Sequence, residues 1–169
     1  YALIYKYWMV HRNRNECMSD QEILSLKVPP HSVEAEQSVL GGLLLDNTAW
    51  DRVADFMNES DLYRPDHKTI YQHITRLIGS NKPADAITVA ESLENTKELE
   101  QVGGLSYLGA LAQNTPSVAN IRRYAEIVRE RSILRKLADT AAAISDTAYN
   151  PMGQEAVQLL DEAESKIFS

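Results

Sequence analysis

After Pro116 the chain runs 34 residues, as far as Asn150, without another glycine or proline. Thr115-Pro116 has the form of a helix start, a hydroxyl cap followed by proline at the first helical position. A continuous helix of that length would be on the order of 45 to 50 Å long. Residues 29–115 are too few to build a body that covers it. Asn150-Pro151 then breaks the helix, Gly153 completes a turn, and a second helix is predicted from about Gln154 to the end. Two such rods read as an antiparallel helical hairpin, expected to protrude from whatever precedes it.

The apolar pattern of the two rods says how they pack. Ile127, Leu134 and Ala141 repeat every seven residues with Leu137 and Ile144 between them, and Ala156, Leu160, Ala163 and Ile167 form one stripe on the return rod. Ile121, Val128, Ile133, Val157 and Leu159 lie off that seam. An amphipathic helix draws most of its stability from burying its apolar face, so these positions require either the body or a second chain. Copies of the molecule pairing through the hairpin in a closed symmetric assembly satisfy them. Candidate residues for hairpin packing, self-association or partner contact are therefore Ile127, Leu134, Leu137, Ile144 and Leu160.

The preceding residues divide into three. Residues 1–17 concentrate Tyr1, Tyr5, Tyr7 and Trp8 ahead of His11, Arg12 and Arg14, the reverse of a signal peptide's order. Met18 reads as a natural start, which makes 1–17 an appended or upstream segment, and 18–28 a flexible arm. Residues 29–115 read as a globular helical subdomain, and 116–169 as the hairpin. In the subdomain, Ser32 caps a helix to about Leu45 with Val33, Leu40, Leu43 and Leu44 on one buried face. Gly41-Gly42 inside that helix costs about 1 kcal/mol per glycine relative to alanine, which points to a close helix crossing. Asp46-Asn47-Thr48 caps a second helix with Trp50, Val53 and Met57 inward. Pro65 opens a third, with Ile70, Ile74, Leu77 and Ile78 inward, ending at Gly79. Short helical stretches follow over 88–93, 97–102 and 105–113. No stretch alternates long enough to demand a strand, so the fold class is all-α: a compact helical bundle followed by a protruding antiparallel hairpin.

Composition excludes several functions. A lone Cys17 supports neither a disulfide nor a zinc site, and with no apolar run long enough for a membrane span the expectation is a reducing cytoplasm and no membrane partner. The net charge of −7 sits in residues 29–115, while 116–149 is mildly basic. Arg122, Arg123, Arg129, Arg131, Arg135 and Lys136 form the one basic cluster, but Glu126 and Glu130 interleave with it as helix-stabilising pairs, so a solvated or partner-facing helix is favoured over a DNA contact. No phosphate-binding glycine loop or H-E-x-x-H is present, and His67 and His73 are expected at the surface or hydrogen-bonded rather than on a metal. Asp51 with Asp55, or Glu91 with Glu94, could pair as general acid and base, but read better as solvated helix faces. Ser106, Ser117 and Ser132 read as caps or surface, and Trp50 as core.

Several ordered blocks carry a family resemblance. The run from Lys27 through Pro29, Pro30, His31, Ser32, Val33, Glu34, Ala35, Glu36, Gln37, Ser38, Val39 and Leu40 to Gly41-Gly42 resembles the start of the N-terminal domain of bacterial replicative DNA helicases, the DnaB family. Ile87 to Leu93, Val102-Gly103-Gly104 with Tyr107-Leu108, Asn114 to Ser117, and Tyr124 to Arg131 follow in order, so that the likeness covers about 27–169, and residues 1–17 match nothing in it. The resemblance implies a collar domain: hairpin-paired dimers, three to a hexameric ring, that bind primase and, in some members, the helicase loader. It places ATP and Mg in a C-terminal motor domain absent from this chain, along with the grip on single-stranded DNA. No cofactor is expected in this segment, and no catalytic site. The competing readings are a free-standing helical adaptor or loader protein, and a small carboxylate-dependent hydrolase.

Overall fold

The computed structural model describes residues 28–168. The expectations for the leader 1–17, and for all of the arm but its last residue, lie outside the described residues. Those described form helices and 3-10 turns with no strand, as the all-α reading expects. No helix among them is long and apolar enough to cross a membrane.

The first helix, α1 (Val33–Leu45), starts where Ser32 accepts a hydrogen bond from the Ala35 amide (3.3 Å). It is not buried on a single side. Ala35, Glu36, Val39, Leu40, Gly41, Gly42, Leu43 and Leu44 are all buried, which makes α1 the axis of the body, while Val33 is only half-buried. The expected single face misses this because glycines add nothing to a hydrophobic stripe, yet here they let backbone approach. A Cβ on Gly41 would lie 2.0 Å from the Thr115 hydroxyl and 2.1 Å from the Leu111 carbonyl oxygen. The close crossing inferred from Gly41-Gly42 is thus present.

Asp46 does cap the next turn, through the Thr48 amide (3.0 Å), but that turn is a 3-10 helix (Asn47–Arg52) rather than a full α-helix. Val53 and Met57 are buried, and Trp50 packs partly buried against Tyr71. Helix α2 (Pro65–Gly79) begins and ends as expected, with His67, Ile70, Tyr71, His73 and Ile74 buried and Leu77 and Ile78 only partly so. Helix α3 (Ala86–Asn95) is longer than predicted because an Asp85–Thr88 capping box starts it earlier. Residues expected helical from Lys97 contract to a 3-10 turn (Glu100–Val102), and Gly103, at φ 95° in left-handed backbone, turns the chain into α4 (Gly104–Gln113).

The long helix starts later than Thr115-Pro116 predicts. The Thr115 hydroxyl donates back to the Leu111 carbonyl (2.8 Å), closing the end of α4. A 3-10 turn (Val118–Asn120) intervenes, and α5 runs Ile121–Tyr149. Proline and hydroxyl are therefore part of the connection that packs on Gly41, not of the helix cap. Left-handed Met152 and Gly153 reverse the chain into α6 (Ala156–Phe168), which lies against α5. The apolar core extends from Ala35 to Val128 and so takes in the first turns of α5.

Candidate self-association surface

Helix α5 changes character along its length. Ile121, Ala125, Val128 and Ser132 are buried at spacings of four, three and four residues, one helical stripe facing the body. Beyond Ser132 no described residue of the chain is buried. Among the described residues the distal half of α5 and all of α6 therefore have only each other, and two helices cover only a stripe of one another. Ile133, Leu137, Val157, Leu160 and Ile167 are each more than half exposed, and Leu134 is exposed as well.

The apolar positions line two open grooves along the hairpin. One, of about 350 Å³, is bounded by Ile144, Leu159, Leu160 and Ala163, with Glu162 and Lys166 at its rim. The other, of about 540 Å³, holds Ile133, Leu137 and Ile167 between Arg129, Lys136, Asp139 and Lys166. Of the five residues singled out from the sequence, Ile144 and Leu160 share the first groove and Leu137 lies in the second. Leu134 lines neither. Ile127 packs, partly buried, against the body core. Of the positions off the predicted seam, the body takes Ile121 and Val128.

The basic cluster also divides. Arg122 and Arg123 are exposed and pair with Glu126, the helix-stabilising pattern expected. Arg129 and Arg135 do not belong to a solvated face. Arg129 pairs with fully buried Asp61 (2.8 Å), and Arg135 donates to the carbonyls of Pro30 and Asp61. Ser132, expected as cap or surface, is buried and donates to Asp61 (2.8 Å). Their shared partner, Asp61, lies in a turn about seventy residues upstream, and Pro30 lies 105 residues before Arg135, both beyond the reach of helix periodicity.

His67 and His73 are both hydrogen-bonded, the second of the two places foreseen for them. His67 is wholly buried. Its Nδ1–H donates to Glu36 (2.7 Å), which also accepts from the amides of Tyr63 (2.6 Å) and Arg64 (3.4 Å), and the Tyr107 hydroxyl donates to Nε2 (2.7 Å). Gln37 in turn donates to Tyr107 (3.2 Å), so the network ties α1, α2 and α4. His73 Nε2–H donates to Glu98 (3.1 Å), while Nδ1 accepts from Ser92 and Arg76. Burial, helped by the Arg76 charge, pushes the His73 imidazole below its ordinary value against the pull of Glu98. Nothing in sequence spacing marked Glu36, Asp61 or Tyr107, since each acquires its role from distant partners. Asp51, Asp55, Glu91 and Glu94 are exposed, as solvated faces are. Among the described residues no cluster of metal-ligating side chains occurs.

The sequence profile of the DnaB-like helicase N terminal domain matches residues 28–130. A replicative DNA helicase DnaB from Buchnera aphidicola is 44% identical over 150 residues, 89% of this chain and 32% of its own length. That from Haemophilus influenzae is 40% identical over 151 residues, again 89% of this chain and 32% of its own length. The chain thus spans about a third of the length of the curated relatives it matches. Among solved structures, the N-terminal domain of DnaB helicase from Mycobacterium tuberculosis superposes with a TM-score of 0.79 at 37% identity, over 84% of this chain and all of that one. A DnaB-like replicative helicase, described together with its interactions with primase, gives 0.62 at 26% identity over 78% of this chain and 31% of its own. The body, the long helix and the identities together show that this chain belongs to the family of DnaB-like helicase N-terminal domains.

Proposed function

We propose that the chain is the collar domain of a replicative DNA helicase, acting in assembly and docking rather than in catalysis. Copies pair through the exposed apolar hairpin, and three such pairs close a hexameric ring. The same hairpins receive primase and, where one is used, the helicase loader. The observation that carries this reading is the distal hairpin itself, where Ile133, Leu137, Val157, Leu160 and Ile167 stand more than half exposed, with nothing among the described residues to cover them. A closed point-group assembly is the usual way for one repeated patch to bury itself. The similarity of this chain to a DnaB-like replicative helicase described together with its interactions with primase supports primase as the docking partner. In this reading ATP, Mg and single-stranded DNA are handled by a C-terminal motor domain of the parent protein, in the bacterial cytoplasm. Ile127, Leu134, Leu137, Ile144 and Leu160 are the proposed packing and contact residues.

Sedimentation velocity across a concentration series tests the reading. The wild type is expected to pass from monomer to dimer and larger species, and Leu137→Glu or Leu160→Glu to remain monomeric with unchanged helix content. A wild type that is strictly monomeric at high concentration and does not bind primase overturns it.

A further inference from the structure

Helix α5 is held to the body in two different ways. Near its start Ile121, Ala125 and Val128 are buried in the core, an apolar contact that resists separation but is not directional. Farther out the hold is polar. Asp61, fully buried at the end of the turn Glu59–Asp61, accepts from Arg129 Nη1 through both carboxylate oxygens (2.8 and 3.0 Å), from the Ser132 hydroxyl (2.8 Å) and from the Asn58 amide (3.0 Å). One turn on, Arg135 donates to the Asp61 carbonyl and to that of Pro30 (2.8 Å), and its guanidinium lies 5.6 Å from the centre of the Tyr63 ring. Ser132 is the last buried residue before the hairpin leaves the body, so this junction is its fulcrum.

We propose that the Asp61 junction is a positioning site that sets the direction of the hairpin relative to the body, and with it the angle at which two copies meet. The proposal rests on the hairpin being the self-association surface. Charge-assisted hydrogen bonds are directional, and a buried carboxylate is penalised when it loses any of its donors. Bonds from two successive turns of α5 converge on one residue, which fixes both the rotation of the helix about its axis and its tilt. The lever beyond is long: Ser132 to Tyr149 spans about 25 Å, so a tilt of about 10° at the junction moves the tip by about 4 Å. A ring closes only when the rotation from copy to copy is right, so hairpin direction selects between closed rings and open chains.

Double electron–electron resonance on the full chain tests this, with Cys17→Ser and spin labels at Glu91→Cys on α3 and Met152→Cys at the hairpin turn. Dilution with unlabelled chain restricts the reading to distances within one molecule. Arg135→Gln and Asp61→Asn are each expected to broaden the body-to-tip distribution and shift its mean by about 3 Å or more, by the same lever estimate. Val128→Ala, which weakens the apolar hold, is expected to leave mean and width as in the wild type. A wild-type distribution in Arg135→Gln, or in folded Asp61→Asn, overturns the proposal; if Asp61→Asn does not fold, Arg135→Gln decides. Because the distance is intramolecular, the two readings separate. Unchanged distances in the variants of a chain that still pairs overturn the junction alone, and shifted distances in the variants of a chain whose wild type never pairs uphold the junction and overturn the assembly reading.

Discussion

At residue scale, two glycines that look alike in sequence carry opposite meanings. Gly41 sits where a methyl group would collide with the Thr115 hydroxyl and the Leu111 carbonyl, whereas a Cβ on Gly109 in α4 would meet nothing within 4 Å. Neither has the positive φ that glycine favours. Gly41→Ala is therefore expected to cost about 3 kcal/mol or more, since backbone must shift to admit the methyl. Gly109→Ala is expected to stabilise by up to about 1 kcal/mol through helix propensity. Denaturant unfolding of the two variants checks both signs, and equal effects would show that the crossing at Gly41 is looser than its geometry. The doublet at 41–42 announced a close approach because two glycines inside a helix are costly. It did not announce what approached, because Leu111 and Thr115 are distant in sequence.

At the scale of the element, α5 is one helix with two environments. Its first turns are part of the core and its last turns have α6 as their neighbour, so burial falls along the rod although apolar residues continue at helical spacing through Leu134, Leu137, Ala141 and Ile144. Val128→Ala is expected to cost about 2 kcal/mol, as core truncations do. Leu137→Ala is expected to cost less than about 0.5 kcal/mol in a monomer, as an exposed substitution. Hydrogen exchange at concentrations too low for self-association gives the complementary reading: amides of 125–132 protected near the global limit, those of 140–149 opening locally. Uniform protection along the helix would contradict this division. The rod, its break at Asn150-Pro151 and its return were all legible, since caps, breakers and apolar spacing act within a few residues. The start was misplaced by several residues because Thr115 and Pro116 serve the preceding connection instead.

At the scale of the whole molecule, several ionised groups share a direction. The Thr48 side chain and amide lower the Asp46 carboxyl, the Arg64 fork lowers Asp66, the Thr88 amide lowers Asp85, and the Thr96 hydroxyl with His73 lowers Glu98. His73 is lowered too, by burial, from an ordinary value of 6.5. In every case the unfolded chain binds more protons than the folded one between the folded and ordinary values, so stability rises with pH there. The contribution is complete above the ordinary value and is lost as pH falls through the folded one. The melting temperature is thus expected to decline in two stages on acidification, first below about pH 6.5 and then more steeply below about 4.5. His73→Gln is expected to flatten the first stage and, because His73 also helps lower Glu98, to soften part of the second; a thermal melt series in matched ionic strength reads both. If copies cover one another's hairpins, the melting temperature should also rise with protein concentration.

The helical class, the hairpin and most of the caps were readable from the chain because they rest on local physics: proline and glycine act on their own backbone, and apolar periodicity reports a face within two turns. The polar core was not readable. Glu36 meets His67 across 31 positions, Asp61 meets Arg129 across 68 and Ser132 across 71. No spacing rule links such pairs, and each side chain taken alone is the kind usually found in water. Folding brings them together, and once buried a carboxylate keeps its charge only where donors converge on it. Which apolar residues the molecule hides for itself, and which it leaves for another, was likewise settled by where the body ends along α5.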